Sequence, residues 1–120
     1  MTVAELKKKL EKRRHLRNLL DKSYFEIYNS ESECPDNLND NLKEYESLKN
    51  KVADLNEWYN NFINDVSADD EYISNIIHLR YSRGFSWDRI AYALGGMASE
   101  SCYRIATDRY LEKYCRKKHC

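Results

Sequence analysis

The chain has 120 residues with 20 basic and 20 acidic side chains, so its formal net charge is zero. Charged residues make up 33% and apolar residues 42%, which excludes an intrinsically disordered chain and sizes it for one domain, or one small domain plus a helical appendage. One proline and three glycines are too few turn residues for a sheet of short strands, so the composition predicts an all-α fold.

The zero net charge hides three blocks: residues 1–30 carry +4, residues 31–70 carry −8 and residues 71–120 carry +4. Such local fields decide what a surface attracts. The last block suits a polyanion, whereas the first and middle blocks suit each other. No apolar run is long enough to span a membrane, and Met1 to Leu10 lead into more charge without an apolar signal region. The expectation is therefore a cytoplasmic protein without membrane contact. Cys34, Cys102, Cys115 and Cys120 form no C-x-x-C pair. Cys115, His119 and Cys120 come nearest to a metal set, but three ligands at a chain end make a weak zinc signal, so reduced thiols and no metal or cofactor are expected.

The first element is predicted over about Val3 to Tyr28. Val3, Leu6, Leu10, Leu16, Leu19, Leu20, Tyr24 and Ile27 recur at helical spacing, with Thr2 and Glu5 placed as a capping box. Arg13 and Arg17 interrupt the stripe and are expected to be solvated or paired with acids. The polar stretch Asn29 to Asn37 contains the only proline and reads as a helix–helix connection.

A second helix is predicted from about Leu38 to Val66. Tyr45, Leu48, Val52, Leu55, Tyr59, Phe62 and Val66 step alternately by three and four, a heptad seam. A short connection and opposite charge favour an antiparallel hairpin over residues 1–66, packing within the chain, between two chains or both. A homodimer through this hairpin is the expected assembly.

Residues 67–120 read as three shorter helices. Ser67 is expected to cap the first, which contains Tyr72 to Arg80 and ends at Gly84. Ser86 caps the next, Trp87 to Leu94, and Gly95-Gly96 stops it. The last opens near Ser99 and runs toward Tyr114, with Tyr103, Ala106, Tyr110, Leu111 and Tyr114 expected inward. Ser101, Arg104, Ile105 and Asp108 fall on the opposite face. Two helices about a glycine turn, the second with one docked and one free face, form the pattern of a DNA-binding helix-turn-helix.

The strings Ile76-Ile-His-Leu-Arg-Tyr81, Gly84-Phe-Ser-Trp-Asp-Arg-Ile-Ala91, Leu94-Gly-Gly96, Ser99-Glu-Ser-Cys-Tyr-Arg104 and Arg109-Tyr-Leu111 carry a resemblance. Across residues 72–115 the chain resembles region 4 of bacterial sigma-70 factors. It is still more similar to small phage and mobile-element regulators of the ArpU and RinA type. Its turn Gly95-Gly-Met-Ala98 is longer than in sigma region 4, and no sigma region 2 motif accompanies it. The resemblance implies a sequence-specific transcription regulator bound to double-stranded DNA. It places base reading at Glu100, Ser101, Arg104, Ile105 and Asp108.

Arg104 suits guanine O6 and N7, and Glu100 suits cytosine N4. Otherwise Arg104 is a surface arginine or pairs with Glu100 or Asp108, and Glu100 serves the helix dipole. Ser86, Trp87, Arg89, Ser99, Arg109 and Lys113 are candidate phosphate contacts, with Arg83, Arg116, Lys117 and Lys118 beside them. Trp87 is equally suited to core packing, and Ser99 to capping. His78, among apolar residues, reads as structural. No catalytic constellation stands out, and a tyrosine recombinase lacks its accompanying Arg/His set, so no enzyme is expected. Two alternatives remain: a DNA-packaging protein like phage terminase small subunits, or a protein-interaction module docking on RNA polymerase.

Overall fold

The computed structural model describes residues 1–30 and 35–119, and the chain is all-α. In order it comprises α1 (Val3–Ser30), α2 (Pro35–Asp69), α3 (Glu71–Ile77) with a π-helical turn His78–Ser82, α4 (Trp87–Ala93) and α5 (Glu100–His119). Among the described residues no helix is long and apolar enough to cross a membrane. Part of the expected connection Asn29 to Asn37, with Cys34, lies outside the described residues, as does Cys120 of the weak zinc set.

Local chemistry accounts for most boundaries. Thr2 Oγ1 accepts from Glu5 N at 3.2 Å and starts α1. Pro35 opens α2, where its missing N–H removes no helical bond. α2 runs past Val66 to Asp69, so Ser67 is not a cap but an interior helical residue. The cap of α3 is Asp70, whose Oδ1 accepts from Ile73 N at 3.1 Å. A carboxylate at that place also favours the helix dipole. Ser86 Oγ caps α4 through Arg89 N at 3.2 Å, as expected. That helix closes in a Schellman motif, with Gly96 N donating to Ala91 O at 2.8 Å and Gly95 N to Tyr92 O at 3.2 Å. Gly95 and Gly96 both have positive φ, the conformation this motif requires of the residue after the cap.

α1 and α2 form an antiparallel hairpin within the chain. Lys9 lies over Trp58, Arg13 meets Asn56, and Tyr24 faces Tyr45 with ring centroids 6.1 Å apart. The heptad seam of α2 is used inside this chain: Val52, Tyr59, Phe62 and Val66 are buried. Leu19 and Tyr24, expected on the α1 stripe, are exposed near the far end of the hairpin together with Phe25, Tyr28 and Leu42.

Arg13 departs furthest from expectation. It is neither solvated nor paired with an acid; only 7% of it is exposed. Its Nε donates to Asn56 Oδ1 at 2.9 Å, and its guanidinium carbon lies 3.8 Å from the centre of the Tyr59 ring. A guanidinium tolerates this because its fork satisfies several acceptors and its flat face stacks on an aromatic ring.

One core joins the base of the hairpin to the C-terminal helices. Leu6 and Leu10 of α1, Phe62 and Val66 of α2, Ile76 and Ile77 of α3, Ile90 of α4 and Leu111 of α5 belong to the same buried cluster. Each such aliphatic side chain stabilises the fold by roughly 1.5–3 kcal/mol on burial. The packing therefore runs through the expected division between residues 66 and 67. α5 docks on α2 through an edge-on Phe62–Tyr114 pair with ring centroids 5.1 Å apart.

Candidate nucleic-acid interface

The face of α5 turned to the core carries Tyr103, Thr107, Leu111 and Cys115 at intervals of four residues. Thr107 stands where Ala106 was expected: it is fully buried, and Ala106 is exposed. Its hydroxyl donates to Tyr103 O at 2.8 Å, so the polar atom is satisfied within the helix and the methyl group packs. A hydroxyl in a sequence reads as outward-facing, which is why Ala106 was expected in its place; of the other expected inward residues, Tyr103 and Leu111 are buried and Tyr110 and Tyr114 pack half-buried against the core.

This docking sets what α5 shows to solvent. Arg104 and Ile105 are exposed, while Glu100, Ser101 and Asp108 are half-buried. The helix period places Ser101, Arg104, Ile105 and Asp108 along one flank, with the outermost face centred on Cys102, Ile105, Arg109 and Glu112. Asp108 is drawn toward α1, where its Oδ1 lies 2.8 Å from Lys7 Nζ. It is the edge of the presented surface rather than its centre. Arg104 has no ion pair among the described residues, so pairing with Glu100 or Asp108 is not what holds it.

The remaining candidates fall in two places. Ser86, Trp87 and Arg89 surround the start of α4. Ser86 is exposed and its hydroxyl is occupied in capping; Trp87 is half-buried against the core. Arg80 donates to Phe85 O at 3.0 Å and its guanidinium carbon lies 5.2 Å from the centre of the Trp87 ring. Arg89 is exposed, and its guanidinium carbon lies 3.9 Å from the centre of the Phe85 ring. Along α5, Arg109 and Lys113 are exposed, and Lys113 shares an open cleft with Asp65 and Asp69. Arg116 reaches Glu112 at 3.8 Å across one helical turn. Ser99 is exposed; its carbonyl accepts from Cys102 N at 3.1 Å, and its hydroxyl lies 3.4 Å from Cys102 Sγ. The side chain of Lys118 lies outside the described residues.

Between Arg80 and Lys117 the chain holds eight basic and four acidic side chains. The surface is therefore cationic, though the C-terminal part of α5 mixes both signs. Tyr92 and Met97 flank the Schellman turn and are 86% and 93% exposed. Tyr110 donates to Asp69 Oδ2 at 3.1 Å, and burial followed by that carboxylate holds its phenol protonated well above its ordinary pKa. Among the described residues no group of His, Cys, Asp and Glu is arranged to hold a metal ion.

Sequence reasoning passed over a second cationic group. The π-turn directs His78 and Ser82 toward α1 and α2. Arg13 Nη1 and Arg17 Nη1 donate to Ser82 Oγ at 3.2 and 3.1 Å, and Tyr59 Oη lies 3.0 Å from His78 Nδ1. Burial, then the charges of Arg13, Arg83 and Arg17, lower the His78 pKa. The ring is thus neutral near pH 7, and Nδ1 shares a hydrogen bond with the Tyr59 hydroxyl. The signal available in the sequence was the run of arginines breaking an apolar stripe. No protein-family model, curated protein or solved structure matches the chain.

Proposed function

We propose that the protein is a sequence-specific DNA-binding transcription regulator of a phage or mobile element. α4 and α5 act as a helix-turn-helix, with α5 reading the major groove. The observation that carries this reading is the flank of α5: Arg104 exposed and free of carboxylates among the described residues, on a helix anchored by buried Tyr103, Thr107 and Leu111. A guanidinium so placed can bond guanine bidentately. Ser101 and Ile105 lie beside it, and Arg89 and Arg109 supply phosphate contacts.

One such helix reads few base pairs, so useful specificity calls for two copies on two half-sites. Four residues of the heptad seam, Val52, Tyr59, Phe62 and Val66, are already buried within the chain. The dimer contact is accordingly assigned to the distal end of the hairpin, where Tyr24, Phe25 and Tyr28 are exposed.

Selection of bound sequences from random duplex DNA tests the reading. Enrichment of a paired motif is the expected result, and absence of duplex binding even at low salt overturns it. Arg104→Ala is expected to weaken the selected site by about 1–3 kcal/mol and relax one base position. Equal loss on every sequence would contradict base reading. A ring in solution by native mass would instead favour a terminase-like packaging role. Exposed Tyr92 and Met97 favour a second reading, docking on RNA polymerase, which predicts that Tyr92→Ala lowers polymerase binding and leaves duplex binding unchanged.

A further inference from the structure

Two arginines converge on one neutral hydroxyl at the junction of α1 with the π-turn, and two more lie beside it: Arg14 at Gly84, and Arg83, whose guanidinium carbon lies 5.6 Å from the centre of the Phe85 ring. Arg13 and Arg17 both donate to Ser82 Oγ, and Arg83 follows Ser82 in the chain. Arg14 Nη1 fills the space beside Gly84 where a Cβ would sit. Among the described residues no carboxylate comes within ion-pair distance of any of the four. This is not for want of acids elsewhere on the helix interface, since Lys7 on the same helix finds Asp108.

Like charges held together without a counter-ion are unfavourable, the more so where one is desolvated. Arg13 is buried, Arg14 and Arg17 are half-buried, and Arg83 is exposed, so the group has a closed back and an open front. Guanidinium forks converging from α1 on the Ser82 hydroxyl match the oxygens of a tetrahedral anion, and the charge of Arg83 adds to the same field. The π-turn that carries Ser82 is a local departure often found at functional positions.

We propose that Arg14, Arg17 and Arg83, backed by Arg13 and the Ser82 hydroxyl, form a binding site for a phosphate group. Arg13 is fixed by Asn56 and Tyr59 and acts as the rear wall. The other three retain donors for the ligand. If the phosphate belongs to a DNA backbone, an assignment that rests on the proposed function, the hairpin adds an anchor outside α4 and α5. A small phosphorylated molecule is the other source, and the experiment separates the two.

Inorganic phosphate is titrated into the full chain against chloride at equal ionic strength. Thermal unfolding and the His78 ring resonances are followed. The groups facing that ring are Arg13 and Arg17 from α1, Tyr59 from α2 and Arg83 after the π-turn. A bound anion offsets their positive field. The expected result is a saturable rise in Tm and an upward shift of the His78 titration midpoint. Both should vanish in the double variant Arg17→Gln with Arg83→Gln. Indistinguishable behaviour in phosphate and chloride overturns the site, and this comparison needs no variant to fold.

The second arm measures duplex binding across a salt series. A backbone phosphate predicts that the double variant loses roughly three- to tenfold affinity at low salt, with the salt slope falling by about one. A phosphate response with unchanged duplex binding supports the site and assigns it to a small phosphorylated molecule. A phosphate response in a protein that binds no duplex sinks the DNA reading and leaves the site standing. Duplex binding with no phosphate response sinks the site alone.

Discussion

Replacing Arg13 separates the contributions of its stem and its charge. Its three methylenes are packed between α1 and α2, and at about 0.8 kcal/mol each their burial is worth roughly 2 kcal/mol. The guanidinium carbon 3.8 Å from the Tyr59 ring centre adds about 1 kcal/mol. The bonds to Asn56 and Ser82 are favourable, but the cation is desolvated without an acid and lies near Arg17, and these opposing effects largely cancel. Arg13→Ala is therefore expected to lower stability by about 3 kcal/mol. Arg13→Met, which keeps the apolar stem, should lower it by only about 1 kcal/mol. In urea denaturation at constant slope, a slope near 1.5 kcal/mol/M would turn the larger loss into a midpoint shift of about 2 M. Equal losses for Ala and Met would refute the reasoning, because they would mean that the polar contacts, and not the stem, supply most of what Arg13 contributes.

Further tests follow from individual contacts. His78 has a folded pKa below its unfolded value of 6.5, so the unfolded state binds more protons between the two. Stability should thus fall as pH drops from about neutrality through the folded pKa, then level off. His78→Asn, which keeps a hydrogen-bonding group for Tyr59, should flatten that part of a stability–pH curve. Gly84→Ala forces a Cβ onto a residue at φ +74° and into Arg14 Nη1, and should destabilise by about 1–3 kcal/mol in thermal melts. Thr107→Val leaves the volume unchanged and removes one internal hydrogen bond, so chemical denaturation should register a loss of no more than about 1.5 kcal/mol. Burial, then the nearby Asp108 carboxylate, raise the Tyr81 pKa to about 12; alkaline titration of tyrosinate absorbance should show it ionising late, near pH 12, and stability should decline as pH rises from 10 toward 12.

The features legible in the sequence are those that neighbours in the chain determine. Ser86 capping α4 and the paired glycines closing it depend on residues only a few positions away, and both were legible. So was the antiparallel pairing of two helices with apolar stripes. The cap at residue 67 was missed because Asp70 competes for the same role, and it is the Asp70 carboxylate that accepts from the first turn of α3. Arg13 reads as a surface residue because its burial is decided by Asn56 and Tyr59, more than forty positions later. Thr107 was missed because its hydroxyl bonds within its own helix, which no periodicity count can register. The position of Asp108 at the edge of the α5 surface comes from Lys7, on a helix at the opposite end of the chain.

The shared core has a mechanical consequence. The base of the hairpin has no soft hinge against α3–α5, because Leu6, Leu10 and Val66 are embedded beside Ile77 and Leu111. In a molecule 53 Å along its longest axis, the arm behaves as a stiff lever. Torque applied where Tyr24 and Phe25 project would be delivered to α5 instead of being absorbed along the way. Whatever grips that tip also sets the heading of the helix at the other end.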